Sequence, residues 1–324
     1  MQGREWLPGL REGNVVFYGV LPLFHACGLT LCLTFPMNVG ARLVLFPTFD
    51  VDLVKKATKH SPPTLLPGGP PMYDRLARAA PHGELDLSTV RFAISGATPL
   101  PVSTVQRWEK ISGGLLAEGY GMTEASPVAL GNPAGPTRRP GSVGVPFPST
   151  DIHVVEPDEP STEVETGQPG ELLIRGPQVF GGYWKRPEET AETLLDGGWL
   201  RTGDIVTVST DGFVTVVDRR KELIITGGFN VSPSEVEEVL LSHPDIEDAA
   251  VVSLPRGDGA EIVVAAIVTR DGADVNPAGA RDFCRTRLAA YKVPMRVDLV
   301  DELPRSLIGK VLRREVREML LVDS

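Results

Sequence analysis

Glu118 to Glu124, EGYGMTE, sets a glycine on either side of Tyr120 and follows the ring with a hydroxyl, Thr123, and a carboxylate, Glu124. Gly119 and Gly121 leave room for a planar ring to lie against backbone, and Thr123 with Glu124 suits a phosphate and its magnesium ion. The plainer alternative is a glycine-rich turn with Glu124 at a helix N-terminus, and on this motif alone it is preferred. Arg201 to Leu240 carries a denser set of groups. Asp204, after Thr202-Gly203, can accept two ribose hydroxyls, and Arg219, with Arg220 and Lys221, can grip a phosphate or a ribose. For a surface Asp or Arg, a solvated role is the commoner fate.

Three further signals are weaker. SGATPL (95–100) is a strand-to-helix turn of small residues, either turn chemistry or a place where Gly96 and Ala97 offer backbone to a ligand. Lys310 sits at a glycine turn opening a helix in SLIGKVLRR, where a lysine is usually solvated, and Arg313 and Arg314 read as a solvated helix face. His25, in LPLFHACG, is open to roles as base, ligand or pocket wall, but a lone histidine on an apolar stretch is most often a satisfied core residue. Taken singly, none of these decides a function.

The chain of 324 residues is long enough for one large domain or two ordinary ones. A net charge of −10 argues against general binding to nucleic acid or anionic membranes, so an anionic substrate needs local basic groups. Cys27, Cys32 and Cys284 fit no disulfide framework and form no CxxC pair, which predicts reduced structural thiols and a cytoplasmic location. The most apolar early stretch, Val15 to Phe46, is broken by Pro22, His25, Gly28 and Pro36, so no membrane span is predicted. Charged residues from Arg4 to Glu12 likewise interrupt any secretory leader.

The elements that must position these groups have two textures. Up to about Asp151, short apolar strands (NVVFYGVLPL, ARLVLFP, TLLPG, VRFAIS) alternate with helices over His25 to Val39, Val51 to His60, after Pro70 and through Trp108, as in a layered α/β fold. From Asp151 to Val217, strands dominate (DIHVVEP, GELLIRG, IVTVS, GFVTVVD) around a barrel-like substructure, with 157–170 as a polar, Pro-containing surface loop. Beyond Lys221 the pattern is α+β. Ser232-Pro233-Ser234-Glu235 is a capping box, AAVVSLP, EIVVAAIVTR and RVDLV are strands, a helix runs from Asn276 through Ala290, and GKVLRREVREML is a terminal helix.

Taken in order, LPLFHACG, ISGATPLP, EGYGMTE, GELLIRGPQVFGGYW, GWLRTGD, DGFVTVVDRRKELIITGGFNVSPSEVE and LPRSLIGKVLRREV resemble the adenylate-forming acyl-CoA synthetase superfamily, across essentially the whole chain. The resemblance implies an α/β and α+β architecture. Residues 1–217 would be the C-terminal part of a large AMP-binding domain, layered α/β plus a small β-barrel. Residues 218–221 would be a hinge, and 222–324 a small mobile α+β domain. It implies that ATP and a carboxylate give acyl-AMP, and that a thiol, usually coenzyme A, then displaces AMP.

By match to the family's motifs, Glu124 would hold magnesium and Thr123 the phosphates. Tyr120, with the backbone of Gly96, Ala97, Gly119 and Gly121, would pack the adenine. Asp204 and Arg219 would hold the ribose, and Lys310 would bridge carboxylate and α-phosphate. Lys221 would be the hinge residue, Gly227-Gly228 the coenzyme A side and His25 a gate to the acyl tunnel. The family's Ser/Thr/Gly-rich loop ending in Pro-Lys-Gly is not found in the sequence, so a chain lacking the N-terminal region is expected, with adenylation impaired. A contact with a second copy is one way to cover the core this would expose. The expected partners are a fatty acid or related carboxylate, ATP and coenzyme A. The alternatives are an acyl-AMP ligase that loads a carrier protein, and a non-catalytic remnant that binds nucleotide or a partner.

Overall fold

The computed structural model describes residues 2–7, 10, 15–82, 85–96, 98–226, 229–256, 261–270, 272–273, 275–306 and 309–322. Contacts divide the chain into two units, Met1–Thr202 with Val206–Val216, and Gly203–Ile205 with Val217–Ser324.

Unit one is built on a seven-stranded sheet of β1 (Val16–Gly19), β2 (Arg42–Leu45), β3 (Leu65–Gly68), β4 (Phe92–Ser95), β5 (Leu115–Tyr120), β6 (Leu130–Gly131) and β7 (Val145–Pro146), in the order β2-β1-β3-β4-β5-β6-β7. The first five are parallel, and β6 and β7 add antiparallel. Parallel pairing requires crossovers, and the helices Val51–Thr58, Pro70–Ala79 and Val102–Ser112 supply three of them. Every residue of β3 is buried, which is why it reads as an unbroken apolar run instead of an alternating one. Tyr73 and Trp108 meet edge-to-face in the core at 4.9 Å, and the Tyr73 hydroxyl donates to the carbonyls of Leu66 (3.0 Å) and Ile94 (2.8 Å). One buried side chain thereby ties a crossover helix to β3 and β4.

The segment after His25 is helical in three parts: an α-turn Ala26–Leu29, a π-helix Thr30–Thr34 and an α-turn Phe35–Asn38. A second sheet contains β8 (Asp151–Glu156), β9 (Glu159–Glu163), β10 (Gly170–Arg175), β11 (Leu194–Leu195), β12 (Trp199–Val208) and β13 (Val214–Arg219), with β13 paired to the long β12. Two of these features depart from the sequence reading. The expected surface loop 157–170 contains β9, antiparallel to β8; its EPSTE has no apolar alternation because it is an exposed edge strand, where proline is tolerated. A helix at Pro187–Thr193, with Pro at its start and Glu188 and Glu189 in its first turn, has no buried residue and so no apolar stripe to announce it.

In unit two, β16 (Ile246–Pro255) and β17 (Glu261–Thr269) pair antiparallel, and β18 (Arg296–Leu299) joins β17 in parallel. Alternate residues of β16 serve two cores: Ala249 and Val251 pack with Val236, Leu240 and Cys284, while Ala250 and Val252 pack with Val316 and Leu320. Helices Pro233–Leu241 and Pro277–Arg285 therefore serve one core and Arg313–Val322 the other. A hairpin of β14 (Ile224–Thr226) and β15 (Phe229–Val231) precedes them.

Three details correct the sequence reading. Ser232 caps its helix by accepting from the Glu235 N–H, but the Glu235 carboxylate pairs with Lys292 at 2.6 Å, so only half of the capping box forms. The helix from Pro277 ends at Arg285, short of Ala290. The terminal helix begins at Arg313, which leaves Lys310 in the turn before it, after Gly309 at φ +84°.

Candidate functional site: a buried aspartate paired with Arg219 in the field of Lys310, and the EGYGMTE turn

In unit one the register pairs Ser95 of β4 with Glu118 of β5, so Gly96, just after β4, and Gly119, next to last in β5, lie at the carboxyl ends of neighbouring parallel strands. That edge is where open α/β sheets take ligands. A Cβ on Gly96 would lie 3.4 Å from the Gly119 carbonyl, whereas one on Gly121 would lie 1.8 Å from that of Pro127. Gly121 is therefore required by the chain's own backbone, and only the Gly96–Gly119 edge and Tyr120 remain to face a ring. Ala97 lies outside the described residues.

Thr123–Ala125 forms a 3-10 turn, with Thr123 exposed and Glu124 half-buried. The Tyr183 hydroxyl donates to the Glu124 carboxylate at 2.7 Å, and the Phe180 N–H donates to the Glu124 carbonyl at 2.8 Å. Burial, then the acceptor Glu124, raise the Tyr183 pKa and keep the phenol protonated. Tyr183 was missed as a site residue although the motif GGYW contains it, because nothing in the sequence spacing points from it to Glu124. Among the described residues no three His, Cys, Asp or Glu side chains cluster as a metal cage. One oriented carboxylate beside a threonine does fit magnesium, which usually takes one or two carboxylates and draws its other ligands from phosphate and water. His25 is half-buried and caps the helix after it, its Nδ1 accepting from the Cys27 N–H at 3.3 Å.

In unit two Asp204 is buried and paired with Arg219, Nε to Oδ1 at 3.1 Å. This corrects the solvated expectation for the aspartate, while Arg219 remains half-exposed. Lys310 lies in the field of this pair. Its pKa is lowered first by burial and then by the Arg219 cation, and Asp204 opposes both. Arg220–Glu222 forms a 3-10 turn directly after β13, with Lys221 exposed within it. Gly227 and Gly228 lie outside the described residues.

Arg313 is not the solvated residue its sequence setting suggested. Its guanidinium reaches both Glu237 oxygens (3.1 and 2.7 Å), pairs with Glu222 and donates to Ser234 at 3.3 Å, whereas Arg314 is exposed. The arginine thus ties the turn containing Lys221 to the helix Pro233–Leu241 and to the start of the terminal helix.

The family profile described as AMP-binding enzyme matches residues 2–184, and that of the AMP-binding enzyme C-terminal domain matches 235–310. The chain belongs to the AMP-binding enzyme family. It is 40% identical over 314 residues to a long-chain-fatty-acid–CoA ligase of Bacillus subtilis (strain 168), covering 97% of this chain and 56% of the relative. It is also 40% identical over 299 residues to a feruloyl-CoA synthase of an Amycolatopsis species, covering 91% of this chain and 60% of the relative. Among solved structures, ATP-bound MatB from Rhodopseudomonas palustris superposes with a TM-score of 0.90 at 32% identity, covering 98% of this chain and 62% of the other. The chain thus spans little more than half the length of the relatives it matches.

Proposed function

We propose that this chain works in an ATP-dependent, AMP-forming acyl-CoA synthetase that activates a fatty acid as acyl-AMP and transfers the acyl group to coenzyme A. The position of Lys310 in the field of Arg219 and the buried Asp204 carries this reading. A ribose offers two adjacent hydroxyls to a fixed carboxylate, and a lysine beside that carboxylate can reach a 5′-phosphate. Lys310 bridges the incoming carboxylate and the α-phosphate, neutralising charge as the carboxylate oxygen attacks phosphorus and pyrophosphate departs.

Unit one carries its own candidates for the same reaction. Tyr120 lies against the adenine at the Gly96–Gly119 edge, with Ala97 and Gly121 in the same turns, and Thr123 meets the phosphates. Glu124, oriented by Tyr183, holds magnesium, which when bound screens the charge of the phosphate oxygens. Lys221 serves as the hinge about which the small domain exchanges Lys310 for the Gly227-Gly228 side when coenzyme A enters, a change that needs only a few dihedrals. His25 gates the acyl group. The name of the Bacillus relative supports a long acyl chain. The three free cysteines suit a reducing, cytoplasmic compartment, and no described helix is long and apolar enough to cross a membrane.

Product analysis after incubation with ATP, magnesium, palmitate and coenzyme A tests the assignment. Acyl-CoA is the expected product; accumulation of free acyl-AMP with coenzyme A present would overturn the transfer step. Ferulate in place of palmitate tests the acyl class, and preference for ferulate would contradict it.

A further inference from the structure

Ser95 and Glu118 are register partners on adjacent parallel strands, so their side chains leave the sheet on one face. Both are buried, Glu118 at 8% exposure and Ser95 at 0%. One Glu118 oxygen accepts the N–H of Leu100 at 3.1 Å. The other, Oε2, and the Ser95 hydroxyl have no hydrogen-bond partner among the described residues. A carboxyl buried with one N–H for company is costly, and an apolar side chain would fill the space at less expense. What the carboxyl does is reach from β5 to Leu100, at the far end of the connection between β4 and the helix Val102–Ser112. The near end runs close to the same strand, where a Cβ on Gly96 would lie 3.4 Å from the Gly119 carbonyl.

We infer that Glu118 is a positioning residue: through Leu100 it fixes the connection carrying Gly96 against Tyr120, two positions along its own strand. The inference rests on the reading of Gly96 and Tyr120 as the nucleotide's ring site. Burial pushes the Glu118 pKa up to about 8, and the Leu100 N–H is the one opposing influence. No ionisable side chain of β4, β6 or the helix Val102–Ser112 acts on it among the described residues. The proton is held to about pH 8 in the closed chain, against 4.5 for an exposed glutamate. Opening this connection therefore releases a proton between those values and becomes easier by up to about tenfold per pH unit.

Amide hydrogen exchange at Leu100 and calorimetric titration with AMP, on the full chain, test the inference in wild type, Glu118→Gln and Glu118→Ala. Wild-type protection at Leu100, corrected for intrinsic exchange, should fall as pH rises from 4.5 to 8. Gln, which keeps the acceptor and cannot ionise, should show protection independent of pH and retain AMP binding. Ala should lose protection and bind AMP about tenfold more weakly. Identical pH profiles in wild type and Gln, or full Leu100 protection in Ala, would overturn the inference, and the Gln comparison stands even where Ala fails to fold. Absence of AMP binding in wild type would instead count against the nucleotide site, leaving the exchange experiment to decide the role of Glu118.

Discussion

The Nε of Arg219 lies 3.1 Å from Oδ1 of Asp204, in a pair whose carboxylate is 6% exposed and whose guanidinium is 51% exposed. The asymmetry separates their roles. Asp204 is a fixed acceptor, and Arg219 is an arm with one side on the carboxylate and the other in solvent. A charge-assisted hydrogen bond contributes about 1.5–3 kcal/mol. Asp204→Ala should therefore weaken AMP binding by tenfold or more in a calorimetric titration. Arg219→Ala should weaken it as well, and should lower the melting temperature, because it leaves the 6%-exposed Asp204 carboxylate without its cation. Unchanged AMP affinity in both variants would remove the pair from the site.

Lys310 gives the clearest pH dependence. Burial and Arg219 hold its pKa below the 10.5 of a free lysine, so between the two values the folded chain binds fewer protons than the unfolded one. The contribution of this group to stability accordingly rises with pH through that window. Activity moves the opposite way, since the bridging role needs the ammonium. The alkaline limb of the adenylation profile should lie below that of a free lysine, shift upward in Arg219→Ala and shift downward in Asp204→Asn. Limbs that move in the same direction in both variants would contradict this electrostatic account.

Tyr183 acts on Glu124 and touches no phosphate in the proposed arrangement. Tyr183→Phe deletes the donor to the carboxylate and keeps the ring that meets Phe180 edge-to-face at 4.8 Å. Loss of an outer-sphere partner commonly costs ten- to a hundredfold in metal affinity. The magnesium concentration that half-saturates ATP binding should rise by about tenfold in Tyr183→Phe and further in Glu124→Gln, with AMP binding in the absence of metal unchanged. Equal magnesium dependence in Tyr183→Phe and wild type would show the hydrogen bond to be incidental.

Arg313 is a stability prediction. Removing the guanidinium leaves the half-buried Glu222 and Glu237 without their shared cation, and a half-buried pair broken on one side costs less than the roughly 3–5 kcal/mol of a fully buried one. Arg313→Met should lower the urea midpoint of unfolding, while Arg314→Met, at an exposed position one residue on, should be near neutral. Urea denaturation followed by far-ultraviolet circular dichroism separates the two.

Much of the architecture was legible because its signals are local. Runs such as LLPG and FAIS between helical stretches mark parallel strands, and Ser232-Pro233 and Asn276-Pro277 mark helix starts that the structure contains. Segments whose structure depends on a partner were illegible. Strand β9 forms because β8 offers an edge, and EPSTE alone has no reason to extend. The site divides in the same way. Asp204, Arg219 and Lys310 could be named from their motifs, but the burial of Asp204 and the field it shares with Lys310 belong to the folded chain. Arg313 and Arg314 are adjacent and alike in sequence, yet one is a half-buried hub and the other solvated; helix phase and the acidic partners Glu222 and Glu237, about 90 and 76 residues away, make the difference. Glu118 and Tyr183 escaped notice because each acts through another residue, Leu100 and Glu124, and such relations leave no spacing to read.

The central claim is that Lys310 serves the chemistry of adenylation while Asp204 and Arg219 serve binding. Fatty-acid-dependent exchange of labelled pyrophosphate into ATP, measured beside AMP affinity in wild type and Lys310→Ala, tests it most directly. The account predicts carboxylate-dependent exchange in wild type and a loss of at least about a hundredfold in Lys310→Ala, equivalent to roughly 2.7 kcal/mol of transition-state stabilisation, with AMP affinity within a few-fold of wild type. Exchange that survives in Lys310→Ala, or wild-type chain that binds AMP but exchanges no pyrophosphate, would contradict it.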